Sequence, residues 1–187
     1  MIHLVLFVLL VVGMSDLSDA NVQQAAKLPL AITEAGVGPI TESTPADLAQ
    51  IARLLPQFSV VPGVAYGEGD AFPTIRVMDG KTEILYMFPG RLPGRPGNIV
   101  SIVVKSDQVR YAGKVKVGSS FSEVFGGSLP DHCSMGSEEE SDDVECYAVP
   151  ASHVLFVFSG TSDRDDGRMP SLSFLIKWRI KAMRWYR

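Results

Sequence analysis

The chain contains 187 residues, of which 46% are hydrophobic and 20% are charged, and its formal net charge is -4. This balance excludes a wholly disordered chain, and the acidic net charge argues against a general nucleic-acid binder. The length fits one domain with a sizeable core.

The N-terminal segment contains an unbroken apolar run at residues 4–12, followed by small and polar residues up to Ala20. The run is too short to cross a bilayer as a helix, but it is typical of a secretory signal. Ser18 and Ala20 are small residues of the kind that a signal peptidase requires. We therefore predict a signal peptide at residues 1–20, a single domain at residues 21–187, and no transmembrane span. An uncleaved anchor and a buried N-terminal strand of a cytoplasmic protein are the alternatives.

A helix is predicted at residues 44–55. Thr44 is a good N-cap residue, Pro45 suits the first helical position, and Asp47 places an acid in the first turn. The apolar residues at helical spacing predict a buried stripe made of Leu48, Ile51, Ala52 and Leu55.

Residues 58–104 have the pattern of strands. We predict strands at residues 58–66, 72–77, 83–88 and 99–104, with a hairpin turn at Asp79-Gly80. Glu68 and Asp70 lie in the connection between the first two strands. Paired carboxylates suggest a hydrolase, although turns commonly carry such residues.

A Pro/Gly-rich loop is predicted at residues 90–97, and it carries Arg91 and Arg95. Two arginines in one loop are suited to binding an anion or an acidic partner. The alternative is that they only solvate the loop.

A short helix and two further strands are predicted between residues 115 and 158. Ser119 or Ser120 caps the helix, with Glu123 as the capping-box partner, and Phe121, Val124 and Phe125 form its apolar face. The strands are predicted at residues 144–149 and 153–158. The second has apolar residues on both faces, which indicates a strand that is covered on both sides.

The chain has two cysteines, Cys133 and Cys146. Their spacing is unlike that of a zinc site, so we predict a structural disulfide. A free buried pair is one alternative, and a nucleophile formed by Cys133 with the adjacent His132 is another.

The segment between the cysteines, residues 137–143, is the most acidic part of the chain. It lacks the glycine and the alternating oxygen ligands of a calcium loop. It is either a solvated hairpin tip or an electrostatic contact surface for a basic protein such as a lysozyme. The candidate contact residues are Glu138, Glu139, Glu140, Asp142 and Asp143.

The C-terminal segment alternates basic and apolar residues, which predicts a half-buried strand with Trp178 and Ile180 facing inward. The alternation slips at Met183, which predicts a bulge that keeps Trp185 on the core side. We expect this strand to lie at a sheet edge, protected by its Lys and Arg face. A contact of that face with anionic lipid or with cell-wall carboxylates is the alternative.

These elements predict an α+β fold that consists mainly of antiparallel strands in a curved sheet or sandwich, with two short helices and one disulfide.

Several segments, in order, resemble the RpoE-regulated lipoprotein family, a domain of unknown function from Gram-negative cell envelopes. The matching residues are Gly36-Val-Gly-Pro-Ile-Thr, Ser43-Thr-Pro45, Ile102-Val-Val-Lys-Ser-Asp107, Val115-Lys-Val-Gly-Ser-Ser-Phe-Ser-Glu-Val124, Cys133, Val144-Glu-Cys146, Phe158-Ser-Gly160, Met169-Pro-Ser171 and Trp178 to Trp185. The resemblance implies an envelope protein linked to the envelope stress response, with no catalytic residues to transfer. Members carry their lipid on a cysteine that directly follows the signal. No cysteine lies between Met1 and Cys133, so we expect a periplasmic or secreted protein without a lipid anchor.

The sequence predicts a non-enzymatic protein with no cofactor and no metal. His132 and His153 lie in no recognised catalytic spacing, and the chain has no Gly-x-Ser-x-Gly motif. We expect a binding or structural role, with an envelope protein or a cell-wall component as partner and with no nucleic acid. Inhibition of a lysozyme is the second hypothesis, and a cell-wall hydrolase is the third.

Overall fold

The computed structural model describes residues 29–67, 69–92, 95–137, 141–164 and 167–187. The predicted signal peptide lies outside the described residues, as do Glu68, Glu138, Glu139 and Glu140.

The described residues form three short helices and twelve strands. The helices are α1 (Leu48–Leu54), α2 (Phe121–Phe125) and α3 (Leu172–Leu175). The strands are β1 (Leu30–Thr33), β2 (Gly36–Val37), β3 (Ile40–Thr41), β4 (Ser59–Gly67), β5 (Asp70–Asp79), β6 (Thr82–Leu92), β7 (Arg95–Val104), β8 (Val109–Tyr111), β9 (Cys133–Met135), β10 (Val144–Tyr147), β11 (Val154–Ser159) and β12 (Arg179–Tyr186).

The strands form two sheets. The large sheet has the order β4-β5-β6-β7-β12-β11-β10-β9, and all of its neighbouring strands are antiparallel. The small sheet has the order β3-β2-β1-β8, in which β1 and β8 are parallel. The predicted fold, α+β with mainly antiparallel strands, is confirmed.

The core lies on one face of the large sheet, where the small sheet and the helices cover it. Ile32 and Val109 of the small sheet, together with Ile51 of α1 and Phe121 of α2, belong to the same buried cluster as Trp185 of β12. Phe121 and Phe158 lie with their ring centroids 5.1 Å apart. Such aromatic contacts stabilise a core beyond the burial of their area.

The start of α1 differs from the prediction. The N-cap is Asp47, whose side chain accepts a hydrogen bond from the Gln50 N–H at 2.8 Å. Thr44 does not cap the helix because its hydroxyl accepts from the Thr41 N–H, and Pro45 instead forms a bridge with Asn98. Ile51 and Leu55 of the predicted stripe are buried, Ala52 is half-buried, and Leu48 in the first turn is exposed.

Helix α2 matches the prediction. Ser120 is its N-cap, and Ser120 and Glu123 form a reciprocal capping box. Phe121 is fully buried, while Val124 and Phe125 pack against the same core from partly exposed positions.

The predicted loop at residues 90–97 is wrong in its extent. Strand β6 continues to Leu92 and β7 begins at Arg95, so that Leu92 pairs with Arg95. The Pro/Gly content instead accompanies irregular register near Pro89. Glycine and proline mark a bulge in a long hairpin as readily as they mark a loop.

Strand β12 is internal, so the predicted edge position is wrong. It lies between β7 and β11, and its Ile180, Ala182, Met183 and Trp185 are at most 2% exposed. The predicted bulge exists, but it lies at Lys181, because Val157 pairs with Ala182 and Phe158 pairs with Ile180. The extra residue keeps Trp185 in the core, as predicted.

Candidate ligand-binding groove

The face of the large sheet that points away from the core carries a second set of side chains. Pairing across the strands places Tyr86 beside Val103 and Val103 beside Arg184. Because side chains alternate along each strand, all three project from the face opposite Met87, Ile102 and Trp185 of the core. Val103, Val157 and Ala182 form a small separate apolar cluster on this outer face, with Tyr86 and Phe88 packed against it.

A groove of about 610 Å³ lies on this outer face. Its lining includes Ala65 of β4 and Glu145 of β10, and five strands lie between β4 and β10 in the sheet order. Residues so far apart in the sheet line one groove because the sheet curls toward this face. The volume lies within the range of small-molecule sites in proteins.

The floor of the groove has one small residue between two aromatic rings. Phe88 of β6 pairs with Ser101 of β7, and Ser101 pairs with Tyr186 of β12. Phe72 adds a third ring from β5, and Tyr86 lies edge-on to Phe88 with ring centroids 5.5 Å apart. Ser101 itself is buried, with 9% of its surface exposed.

The polar wall of the groove is organised by Arg184. Its Nη1 donates to Glu145 Oε1 at 3.1 Å and to the Tyr186 hydroxyl at 3.3 Å. Both side chains of the ion pair are mostly buried, with 19% of Arg184 and 21% of Glu145 exposed. A charge pair with so little water around it holds its geometry better than a pair on an open surface.

A second ion pair braces the same strands. Lys181 of β12 binds Asp143, the residue just before β10, and the Asp143 side chain is only 6% exposed. Strand β11 lies between β10 and β12, so this pair and the Arg184 pair both span it on the outer face. The sequence predicts that the basic side chains of β12 lie at an exposed sheet edge. Two of them, Lys181 and Arg184, instead form ion pairs with Asp143 and Glu145.

The predicted site residues are only partly gathered at this groove. Asp142 is exposed and Asp143 is buried in its ion pair, so these two neighbours face different surroundings. Arg91 and Arg95 lie on the paired ends of β6 and β7. Ser137, the residue just before the three consecutive glutamates, lines the groove.

The predicted disulfide between Cys133 and Cys146 is confirmed. It joins directly paired residues of β9 and β10, with their Cα atoms 4.1 Å apart. With both thiols in this bond, neither cysteine is a free nucleophile.

The sequence analysis does not predict the main residues of the groove as site residues. The signal was present in Tyr86 and Phe88, two aromatic residues two positions apart on the side of β6 opposite the core. Glu145 and Arg184 could not be joined from the sequence, because their contact depends on the order of β10, β11 and β12.

A smaller pocket of about 340 Å³ contains Glu34, His153, Trp185 and Arg187. Glu34 accepts hydrogen bonds from the Ser152 hydroxyl and the His153 N–H, both at 2.7 Å. The His153 ring instead contacts the Tyr186 carbonyl, Nδ1 to O at 2.9 Å. This arrangement ties β1 to the start of β11, and it is not a serine-histidine pair, because Ser152 donates to the carboxylate rather than to the imidazole.

Electrostatic effects outside the groove are local. Burial, with a smaller contribution from the Glu34 carboxylate, raises the pKa of Tyr111 above its ordinary value. The Ser171 hydroxyl and N–H hold the pKa of Asp163 below its ordinary value.

Over the described ranges, no three metal-ligating side chains come together. Within the same part of the chain, no helix is long and apolar enough to cross a membrane.

Fold and groove together define an α+β protein built on a large curled antiparallel sheet and a small mixed sheet, with a cross-strand disulfide in the large one. The chain belongs to the DUF1131 family, described as a protein of unknown function, whose model matches residues 14–187. A relative is the uncharacterized protein YfeY of Escherichia coli (strain K12), 27% identical over 157 residues that cover 83% of this chain and 79% of that protein.

The crystal structure of the uncharacterized protein yfeY from Escherichia coli is similar, with a TM-score of 0.68 and 27% sequence identity. The match covers 84% of this chain and 99% of that chain. Membership of a family of unknown function is thus confirmed, and the name RpoE-regulated lipoprotein stays a prediction.

Proposed function

We propose that this protein is a non-enzymatic binding protein of the bacterial cell envelope and that its ligand occupies the groove on the outer face of the large sheet. The observation that carries the proposal is the groove itself, with about 610 Å³ of space, several aromatic rings and one fixed ion pair. Proteins bind small ligands in concave sites of this size, with apolar walls and a few well-placed polar groups.

A binding role is supported over hydrolysis by the polar groups of the groove. A glycosidase uses two carboxyl groups on either side of the bond that it cleaves. The described part of the lining contains one carboxylate, Glu145, and that carboxylate is bonded to Arg184. The described part of the lining thus offers one carboxylate held by an arginine and not a pair of carboxyl groups.

An exported location is supported by two independent features. The apolar run at residues 4–12 is typical of a secretory signal. The Cys133–Cys146 disulfide requires an oxidising compartment in most bacteria, such as the periplasm or the outside of the cell. A periplasmic or secreted protein fits both features.

Lysozyme inhibition gains no support from the described residues. The hypothesis depends on an exposed acidic surface, yet Asp143 is buried against Lys181. Glu138, Glu139 and Glu140 lie outside the described residues. The hypothesis therefore stays a sequence prediction, second to ligand binding in the groove.

The test is a thermal-shift screen of the full-length protein against neutral oligosaccharides, short peptides, short-chain phospholipids and nucleotides. A ligand that binds the folded state raises Tm with concentration. We expect at least one class to do so in the wild type and in Val64→Trp, but not in Ala65→Trp. Ala65 lines the groove, whereas Val64 is the next residue of the same strand and faces the other way.

Both substitutions place a tryptophan on the edge strand β4, and circular dichroism checks that both variants fold. If no class raises Tm of the wild type, or if Ala65→Trp responds as the wild type does, the groove is not the binding site and the proposal fails.

A further inference from the structure

The β4–β5 hairpin extends beyond the layer that covers the core. On the core side of β5, Ile75 is 6% exposed, whereas Pro73 and Ala71, which follow on that side toward the tip of the hairpin, are exposed. The same change occurs along β4, where Val64 is 41% exposed and Tyr66 is 82% exposed. The distal half of the hairpin therefore presents its core-side face to solvent.

This open face is apolar, and its side chains are continuous. Cross-strand pairing places Val64 beside Pro73 and Tyr66 beside Ala71. Charged residues of β5, such as Asp70 and Arg76, belong to the opposite face by alternation. A contiguous exposed apolar patch marks a surface that contacts a partner. We name this patch the apolar overhang, and its members are Pro62, Val64, Tyr66, Ala71 and Pro73.

The apolar overhang is too small to hold two copies of this chain together. Five side chains of these types present roughly 400 Å² to solvent. A stable protein–protein interface buries about 800 Å² on each partner. A lipid bilayer sets no such minimum, because lipids pack around whatever surface is offered and the strength of binding scales with the apolar area that is buried. The size of the overhang therefore favours a bilayer over a second copy.

The free edge of β4 also suits a bilayer better than an added peptide strand. A peptide that joins a sheet edge needs backbone N–H and C=O groups that are still available. Pro62 has no N–H, and the Val64 carbonyl already accepts from Arg76 Nη2 at 2.9 Å. Contact with lipid instead favours backbone groups that are satisfied within the protein. The same two residues thus disfavour strand addition and favour a lipid surface.

We propose that the apolar overhang docks on the surface of a phospholipid bilayer, with Val64 and Pro73 in the interfacial layer. Tyr66 at the tip combines an apolar ring with a hydroxyl, and tyrosine is enriched where membrane hydrocarbon meets water. Tyr66 also lines the groove, so docking places that end of the groove at the membrane surface. The inference goes beyond the proposed function, and it does not require that the groove has a ligand.

The experiment is tryptophan fluorescence of the full-length protein with phosphatidylcholine vesicles whose acyl chains carry bromine, a quencher that acts on contact. Val64→Trp places a reporter in the overhang. Tyr147→Trp is the matched control, because Tyr147 is 43% exposed, much as Val64 is, and lies on β10 far from β4 in the sheet order. The native Trp178 and Trp185 are each 2% exposed and give a constant background. We expect the vesicles to quench the added emission of Val64→Trp about twofold and to leave Tyr147→Trp and the wild type unchanged.

A charge in the overhang tests whether this face makes the contact. Pro73→Asp, added to Val64→Trp, places a carboxylate directly across from the reporter. Because a charge is costly in the interface, we expect about tenfold weaker partition and a corresponding loss of quenching. Tyr147→Asp, added to Val64→Trp, is the control and should leave the quenching unchanged. Circular dichroism checks the fold of each variant, and Ala71→Asp replaces Pro73→Asp if the latter does not fold.

Three results would overturn the inference. The first is equal or absent quenching of Val64→Trp and Tyr147→Trp, and the second is quenching of Val64→Trp that survives the added aspartate. The third is a shift of Val64→Trp emission to shorter wavelength with rising protein concentration in the absence of lipid, because a second copy would then cover the overhang. None of these measurements involves a groove ligand, so the proposed function is decided separately by the thermal-shift screen.

Discussion

Arg184 and Glu145 are bonded across a strand to which neither belongs. Arg184 lies on β12 and Glu145 on β10, and the Nη1 to Oε1 contact of 3.1 Å spans the outer face of β11. Lys181 and Asp143 make a parallel bridge. Three strands are thereby held in register on the outer face of the sheet, and the same contacts fix the wall of the groove.

The Lys181–Asp143 pair is expected to contribute to stability, because Asp143 is nearly inaccessible to water. In a double-mutant cycle with Lys181→Met and Asp143→Asn, we expect a coupling free energy above about 1 kcal/mol. The pair Lys116–Asp107 is the control, since its side chains are 36% and 61% exposed and its coupling should stay below about 1 kcal/mol. Urea unfolding of each set measures both values, and equal couplings would contradict the role assigned to burial.

The disulfide closes a loop with a sequence separation of 13. Replacing both cysteines by serine is expected to lower the free energy of unfolding by roughly 3 kcal/mol, mainly because the unfolded chain gains freedom. Urea unfolding with and without a reductant checks this value. The chain has two cysteines, so a reductant should destabilise the wild type and leave the double variant unchanged. An equal response of both proteins would show that the reductant acts elsewhere.

The sequence predicted those features that depend on neighbouring residues. The capping box of α2 involves two residues, Ser120 and Glu123, that are three positions apart. The bulge in β12 is indicated by a break in the alternation of basic and apolar residues. The predicted start of α1 is wrong because the Thr44 hydroxyl accepts a hydrogen bond from the Thr41 N–H instead of capping the helix. The groove was not predictable, because Phe88, Ser101 and Tyr186 become neighbours only through strand order.

The capping box should make the stability of α2 depend on pH. The Ser120 backbone N–H and, secondarily, its hydroxyl bind the Glu123 carboxylate and hold the pKa of Glu123 below its ordinary value of 4.5. A lowered folded-state pKa means that this stabilisation is fully present above pH 4.5 and is lost as the pH falls through the folded-state value.

Glu123→Gln keeps an acceptor for the cap but cannot ionise. We expect the wild type to be more stable than this variant near neutral pH and the difference to shrink in acid. Chemical unfolding from about pH 6 to about pH 2.5 measures it. A difference that is constant over this range would show that the charge of Glu123 does not contribute.

Glu34 joins the small sheet to the large one, and its removal should destabilise the fold. Its carboxylate accepts from Ser152 and His153, and its carbonyl accepts from Trp185 Nε1 at 3.0 Å. Because the side chain is itself exposed, we expect Glu34→Ala to cost about 1–2 kcal/mol. Glu42→Ala is the control, since its contact with Arg187 is 3.7 Å long and exposed, and it should cost less than about 0.5 kcal/mol.

The free edge of the large sheet at β4 is protected by Pro62 and Arg76. Pro62 pairs with Ile75 and Pro73 pairs with Val64, and these two pairs lie two residues apart along the strands. In an antiparallel ladder, pairs two residues apart are of the same type, so both prolines fit pairs that exchange no hydrogen bonds and need no N–H. The Val64 carbonyl then points away from β5, and Arg76 Nη2 donates to it at 2.9 Å. The arginine passes over Gly63, where a Cβ would lie 2.4 Å from its Nε.

Opening this edge should promote association between copies of the chain, since an exposed strand edge is a template for pairing. We expect the double variant Pro62→Val, Arg76→Ala to sediment as larger species with rising concentration, compared with the wild type. Arg53→Ala on α1 removes an exposed arginine elsewhere and should sediment as the wild type does. If the double variant also matches the wild type, Pro62 and Arg76 do not keep this edge from pairing, and the two-residue β4–β5 connection or the twist of the sheet must do so instead.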